Sequence, residues 1–145
     1  MKSILFVCLG NICRSSLAEG VAKAIASGLE IQIFSAGTST FHNGEAPCAI
    51  STQIAKRHFI DISKQYSQHI SDYVLNHFDM VIAMDENNLK DLKKMGVENL
   101  YKFGDFGFNG ADVTDLYYQP EEANNVYNMI ELGVKNILKS KHILL

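Results

Sequence analysis

The sequence predicts an α/β fold, a single-domain three-layer sandwich in which a central four-stranded parallel sheet is flanked by helices. Three observations predict it. The opening run Ile4-Leu5-Phe6-Val7 is continuously apolar, the pattern of a parallel strand buried on both faces. Further short apolar runs alternate with segments of helical periodicity, which implies a parallel sheet with right-handed crossovers. The chain has 145 residues, 47% of them hydrophobic, with no repeat and no low-complexity run. That is one domain with a core of its own.

The elements follow in order. Strand one is Ile4–Val7. Its helix runs from about Ser16 to Ala26, with Leu17, Ala18, Val21, Ala22 and Ile25 on one face and Gly28 as its stop. Strand two is Ile31–Ser35. A loop through Phe41, His42 and Gly44 leads to a helix near Ala46–His58, with Pro47 in its first turn. The spacing of Ile70, Tyr73, Val74 and Phe78 predicts another helix over Ser67–Phe78. Met80–Met84 is strand three, and Asp85 caps a helix over Asn87–Met95. Leu100–Phe103 is a short fourth strand. The last helix spans about Pro120–Ser140, with Val126, Ile130, Val134, Ile137 and Leu138 inward.

Charge and cysteine usage narrow the function classes. A net charge of −3 gives no broad basic surface, which argues against general nucleic-acid binding. Met1-Lys2-Ser3 followed by four apolar residues and a cysteine is too short for a signal peptide, and nothing approaches a membrane span. Three cysteines without an even framework point to a reducing cytoplasm. His42, His58, His69 and His77 show no metal-ligand spacing, so they are expected to be structural or surface residues, with no metal and no cofactor.

The segment Val7-Cys8-Leu9-Gly10-Asn11-Ile12-Cys13-Arg14-Ser15-Ser16 carries the chemistry. Cys8 and Arg14 frame five residues that lie between a buried strand and the start of a helix. Such a loop presents backbone N–H groups and the positive end of a helix dipole to a tetrahedral oxyanion. Leu9, Gly10, Asn11, Ile12 and Cys13, with Ser15 beside them, form the expected phosphate-binding loop. The same field favours the thiolate of Cys8 beneath the anion. Arg14 closes the loop with a planar fork that grips phosphate oxygens bidentately, which Lys does not match. The Ser15 hydroxyl is placed to donate to the Cys8 sulfur. Ligand sites in parallel α/β folds lie beyond the carboxyl ends of the strands, where Cys8 falls.

These residues resemble the signature of the low-molecular-weight protein tyrosine phosphatases, and the likeness runs along nearly the whole chain. Ser35-Ala36-Gly37-Thr38 resembles the family's second-strand ending, and Ala83-Met84-Asp85 with Asn88-Leu89 its third. Asp115 with Tyr117-Tyr118 is similar to the loop that carries the family's general acid, and Val126-Tyr127 with Ile130-Glu131 to its last helix. The resemblance implies a flavodoxin-like strand order 2-1-3-4. It also implies a metal-independent phosphatase that forms a phosphocysteine on Cys8. In that reading Asp115 protonates the leaving phenolate and then activates water, Asn11 ties the loop together, and Tyr117 and Tyr118 line the pocket mouth, with Phe41 as the facing wall. Cys13 is the family's redox partner for Cys8, forming a reversible disulfide under oxidant. The implied partners are phosphotyrosine-bearing proteins, a tyrosine kinase among the candidates, with inorganic phosphate as product. A monomer is expected, with the pocket aromatics offering a surface for weak self-association.

Asp112, three residues before Asp115, is the fallback acid. Asp85 is read as a helix cap, and Cys48 as a small buried residue. Three positions depart from the family pattern. Leu116 stands where proline usually follows the acid, which should leave the loop less fixed and the acid less well presented. Ser16 stands for a usual proline and Gln119 for a frequent glycine. Three other functions compete. A thioredoxin-coupled arsenate reductase would need a cysteine relay, and only Cys48 lies outside the loop. A relative that dephosphorylates arginine tends to have threonine where this chain has Ile12, whose flat apolar contact suits a phenyl ring. A phosphoprotein-binding module without strong catalysis is the third.

Overall fold

The computed structural model describes residues 2–144. Four strands form one parallel sheet in the order β2 (Ile31–Gly37), β1 (Lys2–Cys8), β3 (Met80–Ala83), β4 (Leu100–Lys102), which is the predicted topology. Strand β1 (Lys2–Cys8) is central. It pairs with β2 (Ile31–Gly37) so that Cys8 lies opposite Gly37, and with β3 (Met80–Ala83) so that Val7 lies opposite Ala83. The edge strand β4 is only Leu100–Lys102 and pairs with β3.

The pleat of β1 divides the core. Ile4, Phe6 and Cys8 face one layer, in which α1 (Arg14–Ile25), α2 (Ala49–Arg57) and α4 (Ala123–Ser140) pack with Leu17, Val21, Ile54, Ile130 and Val134. Leu5 and Val7 face the other, with Val81, Ala83, Ile70 and Phe78, and with Leu92 of α3 (Glu86–Lys94). Residues of β1 from Ile4 to Cys8 are essentially inaccessible, as a strand covered on both faces must be. The chain leaves β1 toward β2 on one side and returns to β3 on the other. That reversal opens a crevice at the carboxyl end of β1.

Several expected boundaries shift. Helix α1 begins at Arg14, two residues earlier than its apolar periodicity indicates, because the anion loop runs directly into its first turn. Pro47 lies before α2 rather than within its first turn, and the last helix is preceded by a separate 3-10 turn over Pro120–Glu122.

The expected helix over Ser67–Phe78 is not formed. Two 3-10 turns, Ile70–Asp72 and Leu75–His77, stand there instead. The backbone before them is extended along the end of β2: the Gly37 N–H donates to Gln68 O at 2.8 Å, and Gly37 bridges His69. The His69 ring then accepts from the Ser71 N–H and closes the first turn. Ile70 and Phe78 are buried as the spacing indicates, but Val74 is 61% exposed. An apolar spacing that mimics a helix here serves a segment whose backbone is satisfied elsewhere.

Candidate active site

The loop from Cys8 to Arg14 is held from outside by its carbonyls. Cys8 O accepts from the Thr38 N–H at 3.0 Å, Leu9 O from the Ser39 N–H at 2.9 Å, and Ile12 O from the Cys48 N–H at 2.7 Å. The Ser67 hydroxyl donates to Gly10 O and the Ser51 hydroxyl to Cys13 O, at 2.9 and 2.8 Å. In a trans peptide the next N–H points opposite the carbonyl, so five outward carbonyls turn a ring of amides inward. No cis peptide interrupts the described chain. Gly37 permits this packing: a Cβ there would stand 2.7 Å from Leu9 O.

Asn11 sits at φ 56°, a left-handed conformation that Asn tolerates better than most residues. Its buried side chain donates to the Ser15 and Ser35 hydroxyls, both at 2.8 Å, and accepts from the Gln68 N–H at 2.9 Å. The amide thus joins the loop, β2 and the segment beyond it. The Ser35 hydroxyl passes the chain of bonds on to Glu19.

Cys8 is the free cysteine, buried at the bottom of the loop. Its Sγ lies 3.0 Å from Ser15 Oγ and accepts from the Asn11 N–H at 3.2 Å. Arg14 is also buried. Its Nη1 donates to Asp85 Oδ2 at 2.6 Å and to Val113 O at 3.2 Å, and its Nη2 reaches Asp115 Oδ2 at 3.4 Å. The buried Nε has no partner. With Nη1 occupied, the fork's Nε and Nη2 remain as its side-on bidentate edge. Burial works against the Arg14 charge, but the Cys8 sulfur, the Asp85 hydrogen bond and the two carboxylates outweigh it, so its pKa lies above the usual guanidinium value.

A cleft of about 360 Å³ opens above the loop, a size suited to a small ligand group. Cys8, Leu9, Gly10, Ile12, Cys13 and Arg14 form its floor. Ser39, Phe41 and His42 make one wall, and Asp115, Tyr117 and Tyr118 the other. The structure therefore gathers every predicted site residue around one cleft, with Asn11 and Ser15 bracing it from beneath. Phe41 and Tyr118 are 81% and 73% exposed, which leaves their faces open at the rim.

Three residues of this site go beyond the sequence reading. Asp85 caps α3, accepting from the Asn88 N–H at 2.8 Å, and with its other oxygen also clamps Arg14. Its place at the carboxyl end of β3, beside β1, is the signal that could have found it. His42 packs between Phe41 and Tyr117 at ring distances of 4.7 and 5.6 Å, with its Nδ1 2.9 Å from Glu45. Ser39 and His42 carry no sequence signal of their own. Cys48 is not merely a small buried residue: it is half-buried and disulfide-bonded to Cys13, with Cα atoms 5.3 Å apart. Cys13 is therefore joined to Cys48 here and not to Cys8. The sequence separation of 35 hides the contact, which arises because the start of α2 is tied to the loop carbonyls.

In place of a proline's fixed backbone angle, Leu116 gives the loop a fully buried side chain in the main core. Asp115 Oδ1 accepts from the Tyr117 N–H at 3.0 Å, and Asp115 O from the Gln119 N–H at 3.0 Å, so the carboxylate sits on a closed turn. Leu116→Ala is expected to lower unfolding free energy by about 2–5 kcal/mol, read from urea denaturation, and to weaken turnover through the freed loop. Unchanged stability would mean that the loop is held by its polar contacts alone. Ser16 keeps a buried hydroxyl with no partner, a cost a proline at that position would not carry.

The fallback acid Asp112 faces away from the cleft. Lys102 Nζ lies 2.8 Å from its Oδ1, and the same oxygen accepts from the Glu86 N–H at 3.0 Å. The Lys102 hydrogen bond, against some burial, holds the Asp112 carboxyl below the usual carboxylate range. It latches the loop to α3. Among the described residues, no helix is long and apolar enough to cross a membrane.

Comparison with known proteins agrees with this geometry. The family model described as low molecular weight phosphotyrosine protein phosphatase matches residues 3–143. The chain is 36% identical to the low molecular weight protein-tyrosine-phosphatase YfkJ of Bacillus subtilis, over 97% of this chain and 96% of that one. It is 40% identical to a low molecular weight phosphotyrosine protein phosphatase of Dictyostelium discoideum, over 95% and 92%. The crystal structure of YfkJ superposes with a TM-score of 0.90 over 98% of this chain and 95% of its own, at 34% identity. A Drosophila arginine phosphatase superposes at 0.87 with 27% identity, over 97% and 98%.

Proposed function

Because the chain belongs to the low-molecular-weight phosphotyrosine protein phosphatases, a family of cysteine-dependent hydrolases that need no metal, we propose that it hydrolyses phosphotyrosine in proteins through a phosphocysteine on Cys8. The observation that carries this reading is the buried Cys8 sulfur lying below the inward amide ring, with Arg14 and Asp115 on the same cleft. The phosphate oxygens sit in that ring and against the Nε and Nη2 edge of Arg14, which places phosphorus over Cys8 Sγ. The sulfur attacks in line, and the phenolate leaves on the opposite side. Asp115 protonates it, and afterwards takes the proton of the water that attacks the phosphocysteine. The Ser15 hydroxyl steadies the sulfur as nucleophile and as leaving group. Inorganic phosphate is the second product.

The apolar floor and rim support a phenyl ring as the leaving group. Ile12 lines the cleft with Leu9, and Phe41, Tyr117 and Tyr118 offer ring faces. The solved arginine phosphatase of similar fold makes phosphoarginine the comparison to run. With a chelator present, kcat/KM for a phosphotyrosine peptide is expected to exceed that for the matched phosphoarginine and phosphoserine peptides by ~10²-fold or more. Preference for phosphoarginine would replace the substrate while leaving the cysteine mechanism. A tyrosine kinase, itself phosphorylated on tyrosine, is a candidate protein substrate in the cytoplasm.

A further inference from the structure

We propose that Cys48 is a resolving thiol that returns Cys8 to its free form after oxidation, so that oxidation ends on Cys13–Cys48 rather than on the nucleophile. This rests on the reading of Cys8 as the phosphatase nucleophile. The structure holds the expected end point: Cys13 is bonded to Cys48, and Cys8 is a free thiol. Cys13 belongs to both environments. It lines the cleft with Cys8, and its Cα stands 5.3 Å from that of Cys48, within ordinary disulfide range.

Two hydrogen bonds keep Cys48 at this station. Its N–H donates to Ile12 O at 2.7 Å, and the Ser51 hydroxyl donates to Cys13 O at 2.8 Å, so the start of α2 rides on the loop that carries Cys13. Cys48 is the N-cap residue of α2, and its Sγ lies 3.2 Å from Ser51 Oγ. A sulfur near a helix N-terminus is favoured as thiolate, the form that attacks disulfides. Cys48 is half-buried and lies outside the cleft. Its sulfur is therefore free to leave and rejoin Cys13 without touching a bound phosphate.

The steps balance with a peroxide as oxidant. The Cys8 thiolate takes an oxygen from hydrogen peroxide, giving the sulfenic acid and hydroxide. The Cys13 thiolate attacks that sulfur, expelling hydroxide and forming Cys8–Cys13. The Cys48 thiolate then attacks the Cys13 sulfur. The Cys13–Cys48 bond forms, the Cys8–Cys13 bond breaks, and the electron pair leaves on Cys8 as thiolate. The last step is isoelectronic and needs no outside reductant. Only resetting Cys13–Cys48 requires a dithiol.

The test treats the reduced full-length protein with one equivalent of hydrogen peroxide, stops it with catalase, and follows two readouts without reductant. Disulfides are mapped by non-reducing peptide mass spectrometry, and turnover is measured on an aryl phosphate. The wild type is expected to lose turnover, regain it unaided, and finish with Cys13–Cys48. Cys48→Ser and Cys48→Ala should match wild type before oxidation. They should then stop at Cys8–Cys13 with turnover lost until a dithiol is added. A wild type that finishes at Cys8–Cys13, or Cys48 variants that recover unaided, would overturn the proposal. If untreated wild type showed no turnover, the phosphatase reading would fail, and the disulfide map would still decide the exchange.

Discussion

Cys8→Ser is expected to abolish turnover, lowering kcat by about 10⁴-fold or more, since a serine hydroxyl is not a thiolate and Cys8 is the free thiol at the bottom of the loop. The change removes only the sulfur. The carbonyl bonds to Thr38, Ser39, Cys48, Ser51 and Ser67 are all made by other atoms, so the loop should keep its shape. The variant should therefore still bind inorganic phosphate, measurable by titration calorimetry, while failing to accumulate a phosphoenzyme in rapid-quench mass spectrometry. Turnover close to wild type would remove Cys8 from the mechanism and, with it, the cysteine chemistry proposed for this chain.

Asp115→Asn carries the second large effect. The substitution preserves the side-chain oxygen that accepts from the Tyr117 N–H, and so the turn, but removes the proton. For a phosphotyrosine peptide kcat should fall by roughly 10²–10⁴-fold, the range for loss of a general acid. With a nitrophenyl phosphate, whose leaving group needs little protonation, the loss should shrink. The ratio of the two losses is the diagnostic. Equal losses on both substrates would mean that Asp115 shapes the cleft through its Arg14 contact rather than transferring a proton. Asp112 offers no substitute, because Lys102 and the Glu86 amide hold its carboxylate away from the cleft.

The sheet and its order were legible because continuous apolar runs such as Ile4–Val7 have few other uses in a chain of this length. The anion loop was legible because its residues are consecutive, so strand, turn and helix can be read as one unit. The helix expected at Ser67–Phe78 failed where periodicity is ambiguous: Ile70 and Phe78 bury without helical hydrogen bonds. What was not legible depends on residues far apart in the chain. Asp85 reaches Arg14 across a separation of 71, and Ser67 reaches Gly10 across 57. Cys48 meets Cys13 only once α2 has docked. Leu116 marks the opposite limit: the absence of a proline is legible in the sequence, but the burial of the leucine in the main core is not.

Asp85 joins two parts of the molecule, the loop that ends at Arg14 and the start of α3. One oxygen closes the first turn of α3, and the other fixes the guanidinium of Arg14. The residue proposed to hold the anion is therefore tied to the start of α3, and through the Glu86 amide to Asp112 in the loop proposed to carry the acid. Proposed grip and proposed proton delivery are braced on a single carboxylate.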